Sequence, residues 1–219
     1  MSVQKIDLDK LRAAIRILGD ESVYLMLAEA IDMLPPTKLE KLASHYLNPA
    51  QLRPDGESRG SLLEDVKAFE KASLHGDYYE SFDVNWKNST EMSKGTRGWI
   101  AEFCRLLDRC TAQAMKSDFS ETRAAIEICF GLLRRIDECG DDVIFFADEG
   151  GAWQVGVDWG KVLPAWFVCL SATAEPREYG RRVVEIIEEF DKSNREKHIS
   201  AAQRAATADQ RIALRAAQG

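Results

Sequence analysis

The chain has 219 residues, 45% of them apolar, and its 36 acidic and 29 basic residues give a formal net charge of −7. This composition is typical of a soluble globular protein with a substantial core, and the negative charge argues against a nucleic-acid-binding protein, which needs a cationic surface. The first residues lack the apolar run of a signal peptide, and the longest apolar run, residues 162–174, is shorter than the ~18 residues that span a bilayer. We therefore expect a cytoplasmic protein that binds neither nucleic acid nor a membrane.

Helix signals begin near the start of the chain. Residues 7–18 place leucine and isoleucine side chains on one stripe that stops at Gly19, and a second helix is predicted to run to about Leu34, before two prolines. Residues 47–60 are rich in proline, glycine and polar residues and form the best linker candidate. Because the preceding segment would make a marginal independent domain, we expect a single all-α domain over residues 1–219, with an optional sub-boundary near 48–60.

Four capping boxes indicate where helices begin. In each, a hydroxyl and a carboxylate or amide satisfy the free amides of the first helical turn. The four pairs are Thr37 with Glu40, Ser61 with Glu64, Ser193 with Glu196, and Thr207 with Gln210.

The clearest amphipathic helices lie in the middle of the chain. Residues 97–115 place Trp99, Phe103, Leu106, Cys110 and Ala114 three or four positions apart, and residues 121–139 repeat this pattern. The following segment, residues 162–172, is apolar almost all round, so we expect it to be the most buried element, with Pro164 near its first turn. Strand signals are limited to two short runs that predict at most a small hairpin. The predicted fold is therefore all-α, with antiparallel helix pairs forming an irregular bundle or a short α-solenoid of about nine or ten helices.

The cysteines and the known sequence motifs give no sign of catalysis. The five cysteines, at positions 104, 110, 129, 139 and 169, are odd in number and lack a C-x-x-C pair, so we predict reduced thiols that act as small buried apolar side chains. A phosphate-binding loop, an EF-hand, an H-E-x-x-H pair and a G-x-S-x-G nucleophile motif are all absent.

An acidic segment follows the second of these middle helices. Between Arg135 and Lys161 there are seven acidic residues and no basic one. Carboxylates at a helix C-terminus are unfavourably placed, and carboxylate oxygens are ligands for hard cations such as Mg²⁺. The candidate metal ligands are Asp137, Asp141, Asp142, Asp148 and Glu149. The alternative interpretation is that these acids are the solvated ends of a helix and a turn.

A second irregular segment, residues 74–88, mixes aromatic and polar side chains. Helices 97–115 and 121–139 should pair antiparallel, which would bring this segment beside residues 141–159 and form one groove. The candidate binding residues are His75, Asp77, Tyr78, Tyr79, Asp83, Asn85, Trp86, Asp148, Glu149, Trp153, Asp158 and Trp159. The alternative is that the aromatic side chains anchor the loops and seal the core.

Three functions are consistent with these patterns. The leading hypothesis is a cytosolic helical scaffold that binds a protein partner without catalysis and without a cofactor. The alternative is a metal-assisted hydrolase that uses the carboxylates of residues 137–158 with His75 and a divalent cation such as Mg²⁺. A third is a self-associating structural protein, a homo-oligomer in which the acidic middle meets the basic tail of a second copy.

Overall fold

The computed structural model describes residues 7–35, 38–39, 61–86, 88–89, 91–116, 118–138, 142–147 and 150–219. Over these ranges the chain is all-helical, with nine α-helices and no strand, as predicted. The chain divides into two compact units, Met1–Arg59 and Gly60–Gly219, and the boundary falls inside the predicted linker. The first unit contains α1 (Leu8–Ile15) and α2 (Asp20–Met33).

The second unit contains the other seven of these helices. They are α3 (Leu62–His75), α4 (Lys94–Gln113), α5 (Phe119–Asp137), α6 (Trp159–Thr173), α7 (Pro176–Phe190), α8 (Arg195–Ala205) and α9 (Ala208–Ala217), with 3₁₀ turns at Ala152–Val155 and Lys192–Asn194. The predicted inward face of α4 is confirmed, because Trp99, Phe103, Leu106 and Cys110 are buried, as is Ala114 directly after the helix.

Helix α6 lies at the centre of this unit. It packs against α4, α5, α7 and α8, and it buries seven side chains, including Trp166 and Phe167. The prediction for Pro164 was wrong by one turn, since the helix begins at Trp159 and Pro164 is its sixth residue. The apolar run starts later than the helix does, because the first helical turn also contains the polar residues Gly160 and Lys161.

Two of the predicted capping boxes are confirmed. Ser61 accepts from the Glu64 amide at 3.3 Å while the Glu64 carboxylate accepts from the Ser61 amide at 2.9 Å, and Thr207 with Gln210 forms the same reciprocal pair at the start of α9. The box at Ser193 was wrong, because its hydroxyl donates to Asp191 at 3.0 Å and α8 begins two residues later. Thr37 and Glu40 lie outside the described residues.

Helices α5 and α7 run parallel with a constant register. Three ion pairs join them, and in each the partners are 55 positions apart in the chain. The pairs are Arg123–Glu178 at 2.7 Å, Glu127–Arg182 at 3.3 Å and Arg134–Glu189 at 2.5 Å. Because these side chains are partly solvent-exposed, each pair contributes at most about 1 kcal/mol, and their main effect is to fix the register.

Asp191 organises the turn between α7 and α8. Its carboxylate accepts from Ser193, Asn194 and the buried His198, the last at 2.7 Å. Burial alone would raise the pKa of Asp191, but the hydrogen bonds from His198, Asn194 and Ser193 outweigh this effect, so the pKa is lowered.

This lowered pKa predicts a pH-dependent contribution to stability. The ionised Asp191 carboxylate stabilises the fold above its ordinary pKa, and this contribution is lost as the pH falls through that value towards the lowered one. We expect Asp191→Asn to reduce the free energy of unfolding at neutral pH and to have a smaller effect at about pH 3, below the ordinary pKa of ~3.9. Urea titrations at both pH values measure the difference, with Asp108→Asn on the exposed face of α4 as the control. An equal loss at both pH values would contradict the prediction.

Candidate functional site

Two loops of the second unit lie side by side. We call residues 76–86 the aromatic loop and residues 142–158 the acidic loop. The rings of Tyr79 and Phe82 contact the Phe145 ring, with centroid distances of 6.1 and 5.1 Å. A Cβ atom at Gly76 would lie 3.4 Å from the Asp142 carbonyl oxygen. The predicted proximity of the two loops is therefore confirmed.

The first turn of α4 holds both loops. The Thr96 hydroxyl donates to the Phe145 carbonyl at 2.7 Å, and Met92 pairs with Phe146 in a single antiparallel bridge. The Gly95 amide donates to the Glu80 carboxylate at 2.9 Å. These contacts connect the start of α4 to each loop, so both loops are positioned by a helix whose inner face is buried.

Gly95 is required by the close approach of the aromatic loop to α4. A Cβ atom at this position would overlap the Tyr78 carbonyl oxygen and would lie 3.2 Å from the Glu80 Cβ. A larger side chain would therefore push the loop away from the helix.

One aromatic side chain anchors its loop to the core. Tyr78 is half-buried with its ring 5.5 Å from that of Phe69, and burial raises the pKa of its hydroxyl. Beneath it, the Trp99 indole N–H donates to the buried Ser73 hydroxyl at 2.8 Å. The interpretation of the aromatic residues as anchors is correct for Tyr78.

Three other aromatic side chains on the loops are exposed. The exposed fraction is 40% for Tyr79, 84% for Trp86 and 76% for Trp153. Trp159 differs, because its ring stacks on Phe190 with a centroid distance of 4.8 Å and forms part of the core packing. The predicted binding residues are thus divided between a surface and the core.

The polar groups of the aromatic loop form local contacts. His75 Nδ1 and Asp77 Oδ1 are 2.7 Å apart, and both side chains are exposed. The Asn88 side chain donates to the Asp83 carbonyl at 2.9 Å and accepts from the Asn85 amide at 2.7 Å. These bonds shape the turn that presents the loop to solvent.

The carboxylates near the end of α5 have separate partners. Asp137 accepts from the Ala152 amide at 2.7 Å, and Asp142 pairs with Arg135 at 2.7 Å, which lowers the pKa of Asp142. Asp158 lies 3.3 Å from the Lys161 ammonium. These contacts relieve the unfavourable placement of negative charge that the sequence indicates.

The metal hypothesis remains a prediction. Three of its five ligands, Asp141, Asp148 and Glu149, lie outside the described residues. In the part of the chain that the structure describes, no group of three or more histidine, cysteine, aspartate or glutamate side chains is placed to hold a metal ion.

The described cysteines are free thiols, as predicted. Cys110, Cys129 and Cys169 are buried and Cys104 is half-buried, whereas Cys139 lies outside the described ranges. Burial raises the pKa of Cys110 to about 12 and that of Cys169 to about 11. Because the thiolate is the nucleophilic form, these two residues are poor candidates for catalysis.

A cleft between α7 and α9 was not predicted from the sequence. It has a volume of about 730 Å³. Its lining residues are Arg177, Glu178, Arg181, Ala213, Ala216 and Ala217. The signal available in the sequence was the i, i+3, i+4 spacing of the three alanines, which marks one face of a helix but does not show which helix it meets.

Comparisons with protein-family models, with curated proteins and with solved structures find no match for this chain. In the described ranges, no helix combines the length and apolar character needed to cross a membrane. Any assignment of function therefore rests on the site itself.

Proposed function

We propose that the protein is a cytoplasmic helical scaffold that binds a protein partner through the face formed by the aromatic and acidic loops. The observation that carries this proposal is the exposure of Tyr79, Trp86 and Trp153 on two adjoining loops. Tryptophan and tyrosine are enriched among the residues that dominate binding energy, because each buries a large area at a low cost in side-chain entropy.

The charge of this face defines the partner. The two loops contain acidic residues and neither lysine nor arginine. Asp77, Asp83 and Asp142 are exposed on them, with Asp77 next to His75 and Asp142 paired with Arg135. A partner segment that carries lysine or arginine would complement these carboxylates, and its cations could also stack on the exposed indole rings.

The scaffold supports such binding because it is already ordered. Thr96, Gly95 and Tyr78 hold the two loops against α4 and the core. A preformed surface loses less conformational entropy on binding than a loop that must first become ordered.

The same geometry gives no support to the hydrolase alternative. Three of the described carboxylates pair individually with Arg135, Lys161 and a backbone amide. His75 is paired with Asp77 on the exposed surface. The proposed function is therefore binding, and the hydrolase remains a separate prediction. Self-association through the acidic middle and the basic tail remains a separate prediction.

Simultaneous replacement of Trp86 and Trp153 by alanine tests the proposal. Truncating a central interface tryptophan costs about 2 kcal/mol or more, so we expect partner affinity to fall by about thirtyfold or more. Photo-crosslinking from position 79, followed by quantitative mass spectrometry, compares captured proteins between the unmodified chain and the double variant. The captured proteins should carry basic segments, and capture should weaken at high salt.

Met115→Ala is the matched control, since Met115 is 79% exposed but lies outside both loops. Thermal unfolding should be nearly unchanged in both variants, because all three side chains are exposed. Equal capture by the double variant and the control would show that this face is not the binding surface.

A further inference from the structure

The α7–α9 cleft is a trough bounded by about one turn of each helix. Arg177, Glu178 and Arg181 line one wall, and Ala213, Ala216 and Ala217 line the other. The helices meet at Gly180, where a Cβ atom would lie 2.7 Å from the Ala213 carbonyl. The alanine methyl groups make an apolar wall, and the two arginines place positive charge along the opposite wall.

The charged side chains of the trough differ in whether they already have an ion-pair partner. Glu178 is paired with Arg123 at 2.7 Å, so its negative charge is already compensated. Arg181 pairs with Glu185 on its own helix at 2.7 Å, and both side chains are exposed. Arg177 is exposed and forms no ion pair with any described residue. The trough therefore carries a positive charge that the described part of the chain does not neutralise.

The C-terminal part of the chain has the same sign, whereas α7 itself contains four acidic and three basic residues. From Lys192 to the end of the chain there are six basic and two acidic residues, and α9 itself carries Arg211 and Arg215. Complementary charge increases the rate and the specificity of association. The ligand of this trough should therefore be acidic.

We propose that the α7–α9 cleft binds an acidic α-helical segment of a partner protein. Arg177 and Arg181 are one helical turn apart, so they match two carboxylates that are one turn apart on a facing helix. A guanidinium group has five donors, which allows Arg181 to keep Glu185 while it binds a second carboxylate.

The shape of the trough favours a helix over a small carboxylate. Two packed helices leave a groove along their contact, and a third helix can lie in it. The small side chains of Ala213, Ala216 and Ala217 let the backbone of such a helix approach closely. This binding surface differs in charge and residues from the face formed by the aromatic and acidic loops.

Fluorescence anisotropy on the full chain tests this inference. The probe is a labelled alanine-rich peptide of about 18 residues, long enough to form a helix, with glutamate at every fourth position. A peptide with glutamine at the same positions serves as the uncharged probe. We expect the glutamate peptide to bind and to gain helicity by circular dichroism, and the glutamine peptide to bind at least about tenfold more weakly.

Variants locate the binding site. Arg177→Gln should weaken binding of the glutamate peptide by about three- to fivefold, and the double replacement with Arg181→Gln by about tenfold. Ala216→Glu, which adds negative charge to the alanine wall, should also weaken it. Arg97→Gln on the exposed face of α4 is the control and should leave the affinity unchanged.

Three results would overturn the inference. The first is no anisotropy change up to about 0.1 mM protein. The second is an equal affinity for the glutamate and glutamine peptides. The third is a loss of affinity in Arg97→Gln as large as that in the double variant. Competition by glutarate at the same concentration as an unlabelled glutamate peptide would identify a small-carboxylate site and would overturn the helical ligand.

Discussion

Gly180→Val is expected to destabilise the second unit by about 3 kcal/mol, close to the upper end for overpacking a tightly packed contact. Helices α7 and α9 approach each other at Gly180. A Cβ atom there would lie 2.7 Å from the Ala213 carbonyl carbon and 2.9 Å from the Leu214 amide nitrogen. These are backbone atoms, so no side-chain rotation relieves the overlap, and the helices would have to separate.

Replacing a helical glycine that has open space around it is the control, and it should raise the stability instead of lowering it. Gly98 lies in α4, and no heavy atom would come within 4 Å of a Cβ at that position. Gly98→Ala should stabilise the protein by about 0.5–1 kcal/mol, because alanine loses less conformational entropy in a helix. Urea unfolding followed by circular dichroism measures both variants. A Gly180→Val protein as stable as the unmodified chain would show that the α7–α9 contact is not close-packed.

Gln210→Glu is expected to cost about 3–5 kcal/mol at neutral pH, the range for an uncompensated buried charge. Gln210 is only 3% exposed. Its amide oxygen accepts from the Ser171 hydroxyl and the Thr207 amide, and its NH₂ group donates to the Ser171 and Ala174 carbonyls. A carboxylate would face those two carbonyl oxygens with no proton to donate.

The cost of this substitution should depend on pH. Burial and the facing carbonyls would raise the pKa of the new carboxyl in the folded chain above its value of ~4.3 in the unfolded chain. The destabilisation is then full above the raised pKa and declines as the pH falls towards the unfolded value, since a protonated carboxyl can donate to one carbonyl. Urea titrations from neutral to acid pH follow this recovery. Gln203→Glu, at a half-exposed position of α8, should show neither the large loss nor the recovery.

The helices could be predicted from the sequence because burial and periodicity express the same physical constraint. Trp99, Phe103 and Leu106 recur at helical spacing, and all three are buried on one face of α4. Capping at Ser61 was equally predictable, because both partners are within one turn of each other. These features depend on contacts between residues close in the chain.

Other features depend on residues far apart in the chain and gave no local signal. From the sequence alone, Gly180 is an unfavourable residue inside a helix. The structure shows the reason for it, because the backbone of α9 packs directly against this position. Tyr78 and Tyr79 are neighbours, yet Tyr78 packs on Phe69 while Tyr79 is 40% exposed and contacts Phe145. No spacing rule in an irregular loop distinguishes them, because the position of each ring depends on tertiary contacts.

The position of the candidate site was predicted better than the contacts that its residues make. The sequence indicates that two irregular segments meet where an antiparallel helix pair ends, and the ring contacts to Phe145 show that they do. The acidic residues were counted as one cluster because their partners were unknown. Asp142 instead pairs with Arg135 seven residues earlier, and Asp137 accepts from the Ala152 amide.

The central position of α6 has a consequence for the order in which the chain can fold during synthesis. Helices α4 and α5 leave the ribosome before α6, while α7 and α8, which also pack against α6, leave after it. The apolar faces of α4 and α5 therefore lack one of their packing partners until residues 159–173 have emerged. A nascent chain that ends before α6 exposes these faces, including the ring of Phe130, and is the form most in need of a chaperone.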